Sequence, residues 1–330
     1  MDNEKINNIN GSILCVDAMN MFIRSFAVIN TTDDQGSHSG GIFGIFQSLK
    51  VMIELFKPSK IIFCWEGKNS SKRRKQLLPE YKQDRTVRKS LNRTFEWETP
   101  EEEWIAFKKQ LYRIKQYLDT MPIVQLEVEN QEADDLIAYV SNYCFPNNNK
   151  IIISSDKDYF QLISNSVSVF RPIKKELITT NKMLEEYGCS PKNWILMKCI
   201  IGDKSDSVAG IKGIGIKTAI KLFPFLSEDK EYSILDVINW GIEHKGQNPK
   251  YEKFSNLEIQ EMLKVSYKVM QLMTHEISAT SITKIRDLVE KEKTEFKPFQ
   301  LRLLFLQDGA TKQNDYFESW TKLFLPLIQQ

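Results

Sequence analysis

The chain has 330 residues, 42% of them hydrophobic and 27% charged, with a formal net charge of +2. That is enough for one large or two modest globular domains, and it excludes polyanion binding driven by overall charge alone, so any nucleic-acid partner must be argued from local charge. Cys15, Cys64, Cys144, Cys189 and Cys199 are odd in number and form no CxxC pair, which favours buried thiols in a reducing compartment over a disulfide scaffold or a thiolate zinc site.

Ser12 to Val16 reads SILCV and stops at Asp17; Lys60 to Trp65 reads KIIFCW and stops at Glu66. Lys150 to Ser154 reads KIIIS and leads through Ser155 to Asp156. Each is a short apolar run of the kind that makes a buried strand, with an acid at its C-terminal end. Helices are predicted at about Gly41 to Phe56, Glu101 to Leu118 and Gln131 to Tyr143, each long enough for a crossover. The alternation predicts a mainly parallel central α/β sheet flanked by helices, in which ligands bind beyond the carboxyl ends of the strands. From Lys68 to Arg93 the local balance is +8, concentrating most of the excess positive charge. After about Thr180 the pattern is helical without a return to strand rhythm, so a soft boundary is placed there: residues 1–180 as one unit and 181–330 as a second. No apolar run reaches the roughly 18 residues that a membrane span needs.

Beyond the three strand-end acids lie Glu132-Ala133-Asp134-Asp135, Asp156-Lys157-Asp158 and the i, i+3 pair Asp203 and Asp206. Carboxylates so closely spaced raise one another's pKa unless a positive group lies between them. Hard oxygen ligands without histidine or thiolate suit magnesium or manganese. Glu132 and Asp135 also suit the positive end of a helix, so plain capping is the competing reading. Gly210-Ile211-Lys212-Gly213-Ile214-Gly215 precedes a helix start at Lys217-Thr218-Ala219. Its glycines permit sharp turning and close backbone approach to a DNA phosphate or a cation. Ile216 stands where a Walker A loop requires lysine. The acidic segment EWETPEEEW ending at Trp104 has no evident purpose, and packing is the default for Trp194, Trp240 and Trp320.

ILCVDA, IFCWEGK, LLPEYKQDR, QEADDLIA, ISSDKDYFQL and GDKSDSVAGIKGIGIKTA, in that order, resemble the structure-specific 5′-nucleases, the flap endonuclease and 5′–3′ exonuclease family that includes phage replication ribonuclease H-like members. The resemblance implies a PIN-like 5′-nuclease core, a basic helical arch at about residues 67–100 and a helix-hairpin-helix element at about 202–223. Two Mg2+ (or Mn2+) ions would be held, the first by Asp17, Glu66, Glu132, Asp134 and Asp156. The second would draw on Asp158, Asp203 and Asp206, with Asp135 nearby. A monovalent cation such as K+ is implied at the hairpin turn. Where the family usually has FDG this chain has Trp65-Glu66-Gly67, so Glu66 reaches one methylene further. Lys82 and Arg85 are assigned to the scissile or adjacent phosphate, and Asp134 and Asp156 to the reaction centre. Lys72, Arg73, Arg74 and Lys75 would grip the backbone, and Tyr81 would stack on an end base or lie buried. Lys212, Gly213, Gly215 and Lys217 would meet duplex phosphates.

The implied substrate is DNA with a free 5′ end, flap, nick or gap, with RNA–DNA hybrid as a second, in replication primer removal or repair. The expected setting is the cytoplasm of a bacterial or phage-infected cell, as a monomer without membrane contact. A sliding clamp or single-strand-binding protein is the implied protein partner, for which the C-terminal third is the natural place. A non-catalytic replication scaffold would explain the basic span and glycine turns but would not need so many convergent acids. A small-metabolite phosphatase would leave the basic span without purpose.

Overall fold

Each of the three apolar runs becomes a strand. The computed structural model describes residues 10–83, 90–272, 277–290, 295–309 and 317–328. In chain order it contains β1 (Ile13–Asp17), α1 (Ala18–Val28), α2 (Gly40–Phe56), β2 (Lys60–Trp65), α3 (Lys72–Leu77), α4 (Pro100–Leu118), β3 (Val124–Glu127), α5 (Ala133–Tyr143) and β4 (Lys150–Ile153). There follow β5 (Val167–Arg171), β6 (Glu176–Ile178), α6 (Thr180–Tyr187), α7 (Trp194–Ile201), α8 (Ile216–Leu222), α9 (Ile234–Glu243), α10 (Leu257–Met270), α11 (Ala279–Val289), α12 (Pro298–Gln307) and two short C-terminal helices.

The strand order is β3-β2-β1-β4-β5-β6, parallel throughout except for β6, which pairs antiparallel with β5. Successive side chains point to opposite faces. Ile13, Cys15, Ile62, Cys64 and Ile152 accordingly enter one apolar cluster, while Leu14, Val16, Ile61, Phe63, Ile151 and Ile153 enter the other. The first cluster runs on through α5, α7 and the later helices as far as Val289; the second is covered by α1, α2 and α4 and takes Leu301 and Phe305 from α12. Both clusters therefore include side chains from beyond residue 180.

β3, β5 and β6 were not anticipated from the sequence. β3 is a four-residue edge strand whose alternate positions Gln125 and Glu127 are less buried, and β6 is only three residues long. Neither offers an apolar run. The acidic segment before Trp104 acquires a local purpose: Thr99 caps α4 by accepting from the Glu102 amide at 3.1 Å, Pro100 opens the helix, and Glu101, Glu102 and Glu103 fill its first turn. Carboxylates there meet the positive end of the helix, and proline at the first position loses no hydrogen bond.

β1 has β2 on one side and β4 on the other, so the chain reverses its direction of travel across the sheet at β1. In open parallel sheets this switch point leaves a crevice at the carboxyl ends. Asp17 ends β1 and Asp156 lies three residues after β4, which puts the two acids on either side of it.

Candidate metal centre and nucleic-acid interface

Asp17 is held from three directions. Its Oδ1 accepts from the Asn20 amide at 3.0 Å, capping α1, and its Oδ2 accepts from Ser154 Oγ at 3.1 Å and Tyr159 OH at 3.2 Å. The same Tyr159 hydroxyl donates to Asp134 Oδ1, in the first turn of α5, at 2.6 Å. Asp156 donates its amide to Ser154 Oγ at 3.1 Å and accepts from the Asp158 amide at 3.0 Å. Glu66 follows β2 directly, and its Oε2 is buried with no hydrogen-bond partner among the described residues. Burial, followed by the Asp134 charge, raises Asp17 and Glu66 to about 7 and also raises Asp156. These groups crowd negative charge into a space that solvent does not neutralise.

Glu132 and Asp135 have different partners. Glu132 Oε2 meets Arg74 Nη1 at 2.9 Å, Lys82 Nζ at 3.0 Å and Tyr81 OH at 3.1 Å. Asp135 forms a bidentate pair with Arg74, both bonds at 2.8 Å, and Arg73 approaches it at 3.6 Å. Arg74 also donates through Nε to the Val269 carbonyl of α10 at 2.9 Å. One sequence expectation, that Arg74 grips the backbone, is corrected here, and of the two readings of Tyr81 the buried one holds. Arg74 and Tyr81 are each 2% exposed, so neither presents itself to a nucleic acid; they tie α3 and the chain beyond it to α5 and α10. Asp135, expected beside the second metal group, commits both oxygens to Arg74. On a six-residue helix, one cation turned inward is enough to anchor the whole segment.

The second group is Asp158, Asp203 and Asp206. Lys198, from the apolar helix α7, pairs with Asp158 Oδ1 at 2.6 Å and with Asp203. Asp203 Oδ1 also accepts from the amide and hydroxyl of Ser205, and Asp206 Oδ2 lies 3.4 Å from Tyr81 OH. Burial, then the Asp156 charge, raises Asp158 to about 8 despite Lys198. Asp203 is also drawn upward by burial, but Lys198 and Ser205 outweigh that and hold it below its ordinary value. Sequence reasoning missed Lys198 and Tyr159. The signal for the first was a single lysine inside WILMKCII; the second directly follows Asp158.

Lys82 adopts a φ of +56°, and its amide donates to the Asp206 carbonyl at 3.0 Å. A non-glycine residue in the left-handed region costs of order 1 kcal/mol and persists only where its surroundings fix it. Here those surroundings bring the ammonium beside Glu132. Lys72 and Lys75 are exposed and line an open cleft with Asn69, Ser71 and Gln76, while Arg85 lies outside the described residues. Farther along, Ile211 and Ile214 are buried anchors, and Lys212, Gly213, Gly215 and Lys217 are exposed around them. Gly213 has φ +84°, and a Cβ at Gly213 or Gly215 would meet nothing within 4 Å. That leaves open backbone at the turn. The Lys212 carbonyl accepts from Lys253 Nζ at 2.5 Å.

Among the described residues no three acidic, histidine or cysteine side chains close on a common point as a preformed ion cage. The donor chemistry nevertheless fits a hard divalent cation: all of the acids supply oxygen, and the Glu66 Oε2 atom is buried without a partner. A buried polar atom in that condition costs free energy until something positive reaches it.

Carboxylates on both sides of the switch point of a mainly parallel sheet, a basic helix tied to them by Arg74, and a glycine hairpin beyond form the architecture of the structure-specific 5′-nucleases. The chain belongs to this family: residues 12–188 match the 5′-3′ exonuclease N-terminal resolvase-like domain. It is 27% identical over 300 residues to a 5′-3′ exonuclease of Aquifex aeolicus, covering 89% of this chain and 93% of the relative. It is 31% identical over 214 residues to the thermostable DNA polymerase I of Thermus thermophilus, covering 64% of this chain but only 24% of the polymerase. The chain thus spans about a quarter of that relative's length. Among solved structures, a T5 5′-exonuclease with bound divalent metal ions (zinc) superposes with a TM-score of 0.67 at 19% identity, over 84% of this chain and 98% of the other.

Proposed function

We propose that this protein is a divalent-metal-dependent 5′ to 3′ exonuclease and 5′-flap endonuclease that hydrolyses phosphodiester bonds of DNA, with RNA in RNA–DNA hybrids as a second substrate. The observation that carries the reading is the crowded, buried to half-buried carboxylate group around the switch point, with Glu66 Oε2 unpartnered among the described residues and a basic segment anchored against it. Asp17, Glu66, Asp134 and Asp156 would hold one ion, and Asp158, Asp203 and Asp206 the other. Glu132 would contribute through its contacts with Lys82 and Tyr81.

Divalent ions, when bound, supply an activated water and neutralise the charge that accumulates on phosphorus. The chain's own residues do the rest. Lys82, whose ammonium reaches the group from above Glu132, would take the phosphate next to the cut. Lys72 and Lys75 would grip the backbone, and Lys212 and Lys217, with the open backbone at Gly213 and Gly215, would hold the duplex. Cations on phosphates position a substrate without reading its sequence, which suits selection by structure and free end. Primer removal or repair at replication sites follows from that selectivity.

The test is a magnesium and manganese titration with 5′-flap, nicked, gapped and fully duplex DNA and an RNA–DNA hybrid. Metal-dependent release of 5′ products is expected. Binding of flap DNA without cleavage under any of these conditions would replace the enzyme by a DNA-binding scaffold.

A further inference from the structure

Tyr159 is fully buried, and its one hydroxyl proton faces two carboxylates from different elements: Asp134 Oδ1 of α5 at 2.6 Å and Asp17 Oδ2 of β1 at 3.2 Å. Among the described residues this hydroxyl is the side-chain link between α5 and β1 at these acids. A phenol hydroxyl carries one donor proton, and both of its neighbours here are carboxylate acceptors. It therefore acts as a donor.

We propose that Tyr159 is a positioning residue for the first metal site: by bridging Asp17 and Asp134 it presets the separation of these two carboxylates and decides which of their oxygens faces an ion. The inference rests on the nuclease reading and adds a residue to it. Each carboxylate oxygen has two lone pairs. On Asp17, Oδ2 accepts from Ser154 and, more weakly at 3.2 Å, shares the Tyr159 proton, whereas among the described residues Oδ1 accepts from the Asn20 amide alone. On Asp134, Oδ1 accepts from Tyr159, so Oδ2 keeps the greater acceptor capacity. The bridge thereby favours one ligating oxygen on each residue. Without the phenol Asp134 would lose this restraint while Asp17 kept its Asn20 and Ser154 bonds, and repulsion between the two would move Asp134 away.

Hydrogen bonds of this kind to metal-binding carboxylates typically carry 10- to 100-fold in metal affinity. Tyr159→Phe retains the buried ring and removes only the donor. Calorimetric Mn2+ titration of the DNA-free variant should show the higher-affinity ion weakened by roughly tenfold or more. Single-turnover cleavage should regain most of its rate at saturating metal, while flap-DNA affinity in Ca2+ stays at the wild-type value. Ser154→Ala removes a donor to Asp17 without breaking the bridge, and should weaken the ion less.

Equal Mn2+ affinity in Tyr159→Phe and wild type would overturn the proposal. So would equal losses in Tyr159→Phe and Ser154→Ala, since those would report general loosening. Absence of Mn2+ binding by the wild type would instead take down the nuclease reading itself, and the proposal with it.

Discussion

The two carboxylate groups handle the same electrostatic problem in different ways. In the first, Asp17, Asp134 and Asp156 are restrained by hydroxyls and amides, and Glu66 Oε2 is left without a partner. In the second, Lys198 already supplies a positive charge to Asp158 and Asp203. Among the described residues an ion entering the first group meets oxygens of Asp17, Asp134 and Asp156 that are in no ion pair, with Lys82 held at Glu132, whereas an ion entering the second competes with a tethered ammonium. The first site should fill at lower metal concentration, and the difference can be broken or sharpened by substitution.

The largest effect is expected at Asp134→Asn or Asp156→Asn. Each removes a charge from the first group and should lower single-turnover hydrolysis by roughly a hundred- to a thousandfold, as for loss of an electrostatic catalytic group, with flap-DNA binding in Ca2+ preserved. Cleavage near the wild-type rate would mean these acids are structural. Next is Arg74→Ala, which leaves Glu132 and Asp135 buried beside a missing cation. Loss of one partner from a buried pair costs about 3–5 kcal/mol, to be read from chemical denaturation; a change within 1 kcal/mol would show that α3 is not held by this residue.

Lys198→Met tests the contrast directly. With the ammonium gone, the second group should bind Mn2+ more tightly, by about tenfold if the displaced pair was worth a charged hydrogen bond. Weaker binding would assign Lys198 a supporting role.

Proton linkage gives a smaller and graded effect. The folded-state values of Asp17 and Glu66, about 7, and of Asp158, about 8, lie above those of ordinary carboxyls. The native state therefore holds protons that the unfolded chain releases near pH 4, and the stability they contribute is lost as pH rises through 7 to 8. Metal replaces those protons, so the increase in Tm produced by Mg2+ should grow between pH 5.5 and 8.5. An increase independent of pH would remove these groups from the ion sites. The smallest change is expected for Lys72→Ala with Lys75→Ala: weaker flap binding and a salt slope shallower by up to about two.

The parallel centre of the fold was legible because β1, β2 and β4 are apolar runs that each end near an acid. The edge was not: β3 and β6 are too short and too polar to stand out, and they exist because a formed neighbour offers them hydrogen bonds. At the site, the acids were visible through their spacing. The orientation of the cations was hidden. Lys72, Arg73, Arg74 and Lys75 are consecutive and chemically alike, yet packing against α5 and α10 turns Arg74 inward and leaves Lys72 and Lys75 exposed. Lys198 escaped notice because it lies inside an apolar helix, and Tyr159 because its partners Asp134 and Asp17 come from distant parts of the chain.

Helix α10 has a consequence for substrate geometry. One end receives Arg74 Nε at Val269, and the other begins just beyond the segment whose Lys253 reaches the hairpin carbonyl of Lys212. Its 14 residues, at 1.5 Å each, make a spacer of about 21 Å. Along B-form DNA that is about six base pairs at 3.4 Å per step. The stiffness of a single helix thus fixes the distance between the anchored basic segment and the hairpin turn, and on the proposed nuclease reading lengthening α10 by whole turns would shift one relative to the other.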